Sequence, residues 1–459
     1  MPTDRVTQLY NEACLLPDSK LHSAAEAVEL NPMLSHWTGQ YLSRPLFVEE
    51  RQIRSFADDV VRLVGLLTSL PERLFDGDLD RFCAALGIDD RRATLMRRLG
   101  PPPHNGRADM YHDGTSFKLL EFGIASEVGG WDRAGEIPRA FLEADAFREF
   151  AEEHGLGYTH PAKAVADSLR RIGATVRPDG EPVVVLLEGP GGLVDYGTTW
   201  RTFESVMRGF GLDFHVAEIG DVQERDGKLH LGSLPIDVVY RCFETNQIVD
   251  EPDGPALVEP LFRAHEAGNT VLWTPMSSNL FNDKGCMALL SDPRHRHRFS
   301  TEEQTVIDRV LPWTRGLGGT GWDGKGTAVD EELFEHCRER REQLILKPSG
   351  YFGGKGTIVG WECDDAIWSM ALKEAASSGC IVQERVVPRT EPVVNPVTRE
   401  VQPWQAVWGL FYTPDGYAGT YGRALPTENN GVIGISSNKG TRTAGVFHHN
   451  SDSREPAGS

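Results

Sequence analysis

The sequence predicts an α/β protein, and three observations carry that prediction. An apolar stripe of helical period runs through the first hundred residues, strand-like and helix-like stretches alternate from about residue 171, and after residue 340 β-branched apolar runs flank a glycine-rich segment.

Residues 1–103 read as a helical N-terminal segment. Within 51–70, Ile53, Phe56, Val60, Val61, Val64 and Leu67 recur three or four positions apart, which gathers them on one helix face. Pro101, Pro102 and Pro103 close the segment, because proline cannot donate to a continuing helix and drives its predecessor to extended geometry. The next unit, 104–170, opens with two strand-like stretches, 107–111 and 116–122, around Asp113-Gly114, a dipeptide suited to a hairpin turn. Counting outward from that turn places Asp109 and Glu121 on adjacent strands, near but not directly opposite, with Arg107 on the face of Asp109. Residues 171–280 then read as an open α/β layer, with strands at 182–188, 213–217, 236–240 and 271–274 and helices at 198–209 and 259–267. In the last folded unit, 281–447, a strand at 343–348 leads into the glycine-rich 349–356 and a second strand at 357–361. A helix capped by Asp364 or Asp365 and ended by Gly379 follows, and then a strand at 380–387. No internal repeat is visible, and 448–459 reads as a flexible tail.

Composition excludes several classes of function. The 459 residues are 40% hydrophobic and 25% charged, the balance of an ordinary globular protein. With 47 basic against 67 acidic residues, the net charge of -20 repels phosphate backbones and anionic lipid, so neither nucleic acid nor a membrane is an expected partner. The seven cysteines have no C-x-x-C spacing, their odd number and scatter suit a reduced cytoplasm, and no export or anchoring segment is recognisable.

Several constellations can carry chemistry. Lys347 is delivered by a strand into Pro-Ser-Gly-Tyr-Phe-Gly-Gly-Lys-Gly, where Gly350, Gly353 and Gly354 would let backbone N–H groups approach a polyphosphate and the lysine would add a point charge. The lysine precedes the glycines and a strand follows, so a β–loop–β cover fits better than a P-loop; the alternative is a plain hairpin with a surface lysine. Gln383 and Glu384 interrupt an otherwise apolar strand, and Glu384 would accept from an adenine or ribose, or else pair with Arg385 on an edge. Asp109 and Glu121 supply the one or two carboxylates that Mg²⁺ takes when it bridges nucleotide phosphates, although on their own they read first as charges on a solvated hairpin. The glycine string 315–326, with Lys325, reads as a loop rather than a dinucleotide fingerprint. His295 and His297 read as surface charge, and Gly189-Pro190-Gly191-Gly192 as a turn at the ligand-binding end of a strand.

The order of these phrases, Arg107-x-Asp109, Glu121, Lys284 in Asn-Asp-Lys-Gly-Cys, Lys347 with its loop, and Glu384, resembles the circularly permuted ATP-grasp ligases, which include glutathionylspermidine synthetase and eukaryotic-type glutathione synthetase. The resemblance spans roughly 45–445 and takes in Arg44-Pro-Leu-Phe, the strand ending Tyr240-Arg241, and Tyr421-Gly-Arg423. It implies an ATP-grasp core with an inserted α/β substrate domain. Asp109 and Glu121 would hold Mg²⁺; Lys284, Lys347 and the loop glycines would contact ATP; Gln383 and Glu384 would face its base or ribose. Arg107 would stabilise the transferring phosphoryl group, and Arg423 would do likewise or bind a substrate carboxylate. Relatives place Asn where this chain has Gly123, which leaves a second metal to Asn438 or Glu127, or more weakly bound. Glutathione synthetases also tend to carry an acidic residue where this chain has Tyr351.

The implied activity is ATP-dependent joining of a small-molecule or peptide carboxylate to an amine through an acyl phosphate, with ATP and Mg²⁺ as cofactors and a homodimer left open. A phosphotransferase that stops at phosphorylation, and a non-catalytic nucleotide-binding protein that recognises a peptide or carrier, are the alternatives. No Ser/His/Asp or Cys/His set is needed for the ligase chemistry.

Overall fold

The computed structural model describes residues 4–37, 40–317, 331–351, 353–429 and 431–450. Lys325 and most of its glycine string lie outside them.

A seven-stranded sheet forms the largest layer. Its strands run in the order Leu46–Glu49, Arg442–His449, Gly416–Pro426, Val401–Thr413, Gly106–His112 and Phe117–Ile124, and Thr390–Val394 pairs with the first part of Val401–Thr413. Only the contact between Leu46–Glu49 and Arg442–His449 is parallel. Alternation gives this sheet two unlike faces. Ala108, Met110, Trp408 and Leu410 turn to a core shared with Ile53, Phe56, Val60 and Val64 of the helix Glu50–Thr68. Arg107, Asp109 and Tyr111 occupy the alternate positions and turn the other way.

Three smaller sheets complete the frame among the described residues. Four parallel strands, in the order Val271–Trp273, Val238–Arg241, Val183–Glu188 and Asp213–Glu218, are covered on both sides. Val184, Leu186 and Tyr240 pack with Leu169 and Phe203 on one side; Val185, Leu187 and Val239 pack with Leu261 and Phe262 on the other. This is the burial on two faces that continuous apolar strands require. Four antiparallel strands, in the order Thr314–Leu317, Cys380–Glu384, Leu344–Pro348 and Ile358–Val359, carry the helix Asp365–Ser378. That helix begins at Asp364, whose side chain accepts from the Ile367 N–H, and stops at Gly379 in the left-handed region. Its Trp368 and Leu372 pack on Leu344, Leu346 and Val382. A three-stranded meander spans Val222–Arg225, Lys228–Leu231 and Leu234–Pro235.

Three expectations are corrected. The N-terminal segment is not wholly helical: Leu46–Glu49, within and just after the Arg44-Pro-Leu-Phe phrase, is a strand that extends the large sheet. The C-terminal strand continues through His448 and His449, and His449 Nε2 lies 2.8 Å from Asp4 Oδ2, so the folded chain reaches past residue 447. Asp109 and Glu121 are directly paired rather than offset. A bulge between Asp109 and Met110 in the register leaves Leu120 as the extra residue and shifts the count by one. It also reverses which residues face inward, so Phe117 and Leu119 reach the core while Glu121 turns to the opposite face with Asp109.

Candidate active site

The polar face of the large sheet and the small antiparallel sheet enclose a cleft of about 540 Å³. The large sheet contributes Arg107, Asp109, Tyr111, Glu121, Tyr421 and Arg423; the small one contributes Ile345, Lys347, Gln383 and Glu384, with Gly353 and Gly354 from the glycine-rich turn. The segment 431–436 closes part of the wall, and Ser437 donates to the Gly353 carbonyl at 2.7 Å, which ties that segment to the turn. Gly353 and Gly354 adopt φ of 64° and 77°, a region that side chains disfavour, so the turn requires glycine at both positions.

Arg107, Asp109 and Arg423 form one ionic unit in the cleft. Arg107 donates to Asp109 through Nε at 2.7 Å and Nη2 at 3.1 Å, and Arg423 Nη2 donates to Asp109 Oδ2 at 2.6 Å. Arg107 Nη1 also donates to the Gly129 carbonyl at 2.7 Å. The arrangement depends on Gly409, the cross-strand partner of both Asp109 and Tyr421. A Cβ there would lie 2.9 Å from Arg107 Cδ and 2.5 Å from the Tyr421 ring. Burial pushes the Asp109 carboxyl up, but the two guanidinium groups outweigh it and hold the pKa at about 2. Both Asp109 oxygens accept from arginine in this arrangement, so the carboxylate positions the two guanidinium groups, and Oδ1, which takes one of the three bonds, keeps room for a further partner.

Lys347 lies opposite that unit, buried, with Nζ donating to Gln383 Oε1 at 2.6 Å and to the Leu120 carbonyl at 3.1 Å. The second acceptor is the residue that the bulge leaves without a ladder partner. Burial lowers the Lys347 pKa to about 8, against a smaller opposing effect of Glu121. Glu121 is within 3.3 Å of Lys284 Nζ, and Lys284 also donates to the Tyr351 carbonyl. Lys284 thus joins the hairpin to the glycine-rich turn but is not part of the cleft wall.

The remaining expected residues fall in several places. Glu384 lines the cleft, on an interior strand rather than an edge, and pairs with Arg340 at 3.0 Å instead of Arg385; Arg385 stacks 3.9 Å from the centroid of the Trp361 ring. Gly350 sits outside the main cleft, beside Asp283. Asn438 Oδ1 accepts from the Gly440 N–H, just beyond the wall residues 433–436. Glu127 is held by Arg241 at 2.7 Å and Asn279 at 2.8 Å, also outside the wall. Gly123 has a packing reason: a Cβ there would stand 2.6 Å from Val128 Cγ1, so Val128 occupies the space a larger residue would need. Among the described residues no group of three or more His, Cys, Asp or Glu side chains is placed to hold a metal ion. Glu121 is the expected carboxylate that faces the cleft without a guanidinium on it, which suits a cation that takes few protein oxygens.

Sequence reasoning missed Tyr111, Trp37, Arg133, Trp361 and the 431–436 segment, all in the cleft wall. Aromatic and arginine residues at isolated positions carry no local pattern, and only the tertiary fold brings these together.

No protein-family model matches the chain. A protein of Frankia alni named as a glutamate–cysteine ligase is 29% identical over 127 residues, which is 27% of this chain and 13% of that protein. Among solved structures, a glutathione synthetase-like effector from Globodera pallida, in its apo form, superposes over 97% of this chain and 98% of its own with a TM-score of 0.61 and 13% identity. At that identity the likeness establishes a shared mixed α/β fold. A Methylobacillus flagellatus protein titled a gamma-glutamylcysteine synthetase covers 85% of this chain at a TM-score of 0.41 and 13% identity, too low an overlap to add to the argument. The curated relative is thus named as a ligase, and the structure that shares the fold is titled glutathione synthetase-like. No helix among the described residues is long and apolar enough to cross a membrane.

Proposed function

We propose that the chain is an ATP-dependent carboxylate–amine ligase of the permuted ATP-grasp type, working through an acyl phosphate. The observation that carries the reading is the cleft itself: two sheets face each other, one presenting buried Lys347 beside a glycine-rich turn and the other presenting Arg107, Asp109 and Arg423. The shared sheet of the early hairpin and the last strands of the chain supports the permuted connectivity.

In this reading the purine lies against Ile345, Val359 and Val386, and the phosphates extend toward Lys347 and the turn glycines. A magnesium ion held by Glu121 would supply neutralisation of phosphate charge. The substrate carboxylate attacks the γ-phosphorus, the bond to the β-phosphate oxygen breaks, and ADP leaves. An amine then adds to the acyl carbon, phosphate departs, and the nitrogen loses a proton. Arg107 and Arg423 present planar forks able to contact two phosphoryl oxygens each, while Asp109 holds both forks in place before substrate arrives. This division, in which the protein positions and neutralises, is what phosphoryl transfer requires.

The test is ADP release measured across a panel of amino acids, peptides and polyamines with ATP and Mg²⁺. Release that needs both an acid and an amine, with hydroxylamine converting the acid to a hydroxamate, supports the ligase. Hydroxamate that forms equally without enzyme, ADP release indifferent to the acid, or no ATP binding by calorimetry overturns it. A phosphorylated acceptor without amide product would assign the phosphotransferase instead.

A further inference from the structure

The cleft wall holds a further guanidinium that the phosphoryl chemistry does not use. Arg133 opens the helix Arg133–Phe141, is 8% exposed, and shares the cleft wall with Trp37, Gly129, Arg107 and Tyr421. Its Cζ lies 4.1 Å from the centroid of the Trp37 ring. Among the described residues Arg133 has no carboxylate within ion-pairing distance, and its buried Nε has no hydrogen-bond partner; neither does Trp37 Nε1. Asp132 precedes it and is buried, but no ion pair joins the two, and Asp132 is not in the cleft wall.

Asp132 Oδ2 is itself buried without a hydrogen-bond partner, and a buried guanidinium that no carboxylate contacts directly gains from a ligand that supplies that contact. Stacking on an indole leaves the N–H fork of an arginine free at its edge, the geometry that takes a carboxylate in bidentate fashion. Arg107 also lies over Tyr421, 5.5 Å from that ring's centroid, and donates to the carbonyl of Gly129, four residues before Arg133, so Arg133 shares the cleft with the ionic unit of the large sheet. A group bound at Arg133 would therefore lie in the same cleft as the proposed phosphoryl site.

We propose that Arg133, stacked on Trp37, binds a substrate carboxylate other than the one that reacts. The inference rests on the ligase reading for its substrate class. The acid substrate would be a dicarboxylate, or the amine substrate would itself carry a carboxylate.

The experiment measures binding by calorimetry, which needs no turnover, using two probe sets: L-glutamate against its α- and its γ-monomethyl ester for the acid arm, and glycine against glycinamide for the amine arm. Parent protein should favour the free carboxylate of one set by about tenfold or more, the scale of a charge-assisted contact. Arg133→Met should abolish that preference and leave ATP affinity as in the parent, whereas Arg133→Lys should restore part of it. Trp37→Phe keeps the stacking face and removes the indole N–H, so a smaller loss is expected there. If Arg133→Met fails to fold, the Lys and Phe variants decide the matter by the same preference. A parent without preference in either set, or variants that keep it in full, overturns the proposal. Carboxylate binding without any acid-dependent ADP release would sink the ligase reading and leave the subsite standing; a working ligase whose acid and amine KM values ignore Arg133 would do the reverse.

Discussion

Replacing Lys347 with methionine should reveal a proton linked to nucleotide binding. Lys347 Nζ is buried on two neutral acceptors, Gln383 Oε1 and the Leu120 carbonyl, and its pKa falls to about 8. The unfolded chain therefore holds that proton more tightly than the folded one, so the folded protein is penalised below about pH 8 and gains stability as pH rises from there toward the ordinary lysine value. The difference from the ordinary lysine value corresponds to at most about 3.4 kcal/mol. A phosphate beside Nζ reverses the balance by favouring the ammonium. ATP binding near pH 8, with no acid substrate present, should then take up about half a proton, and affinity should fall about tenfold between about pH 7 and about pH 9. Calorimetry in buffers of different ionisation enthalpy reads both quantities. Lys347→Met should bind ATP about ten- to a hundredfold more weakly, show no linked proton, and melt higher than the parent at neutral pH when no nucleotide is present. A parent whose affinity is flat across that range, or a folded variant with parental affinity, would refute the placement of Lys347 at the phosphates.

Three further outcomes follow from the same geometry. Arg107→Lys keeps the charge but loses the fork, so turnover per folded molecule should drop about 10²-fold with ATP affinity little changed; near-parental turnover would contradict a role on the transferring group. Glu121→Gln should raise the Mg²⁺ concentration needed for half-maximal rate, whereas Asp109→Asn should lower turnover without moving that requirement, because Asp109 spans two arginines; a shift of the Mg²⁺ titration by Asp109→Asn would make it a ligand as well. Arg241→Met removes a fully buried guanidinium that holds Glu127 at 2.7 Å and the Thr274 carbonyl at 2.7 Å, and denaturant unfolding should show a loss of about 3–5 kcal/mol.

Much of the frame was legible in the sequence because local chemistry determined it. Asp364 and Gly379 bracket the helix Asp365–Ser378 as a cap and a left-handed stop, and the apolar runs of the parallel sheet announce burial on both faces. The bulge was also encoded, although counting from the turn overlooked it. Phe117 and Leu119 are apolar at odd positions and Phe122 and Ile124 at even ones, so the alternation changes parity at Leu120. The strand Leu46–Glu49 was not readable, since four apolar-leaning residues beside a long helix have no periodicity of their own. The pairing of Asp109 with two arginines, one of them far away in the chain, and the meeting of Trp37 with Arg133 arise only from tertiary packing.

The central claim is that a substrate oxygen becomes bonded to phosphorus before the amide forms. The most direct measurement uses the acid giving the strongest ADP release, labelled with ¹⁸O in both carboxylate oxygens, and follows the label by mass spectrometry of the inorganic phosphate. The account predicts one ¹⁸O atom in each phosphate released and one retained in the amide product. Phosphate without label, with both ¹⁸O atoms left on the acid or its product, would contradict it.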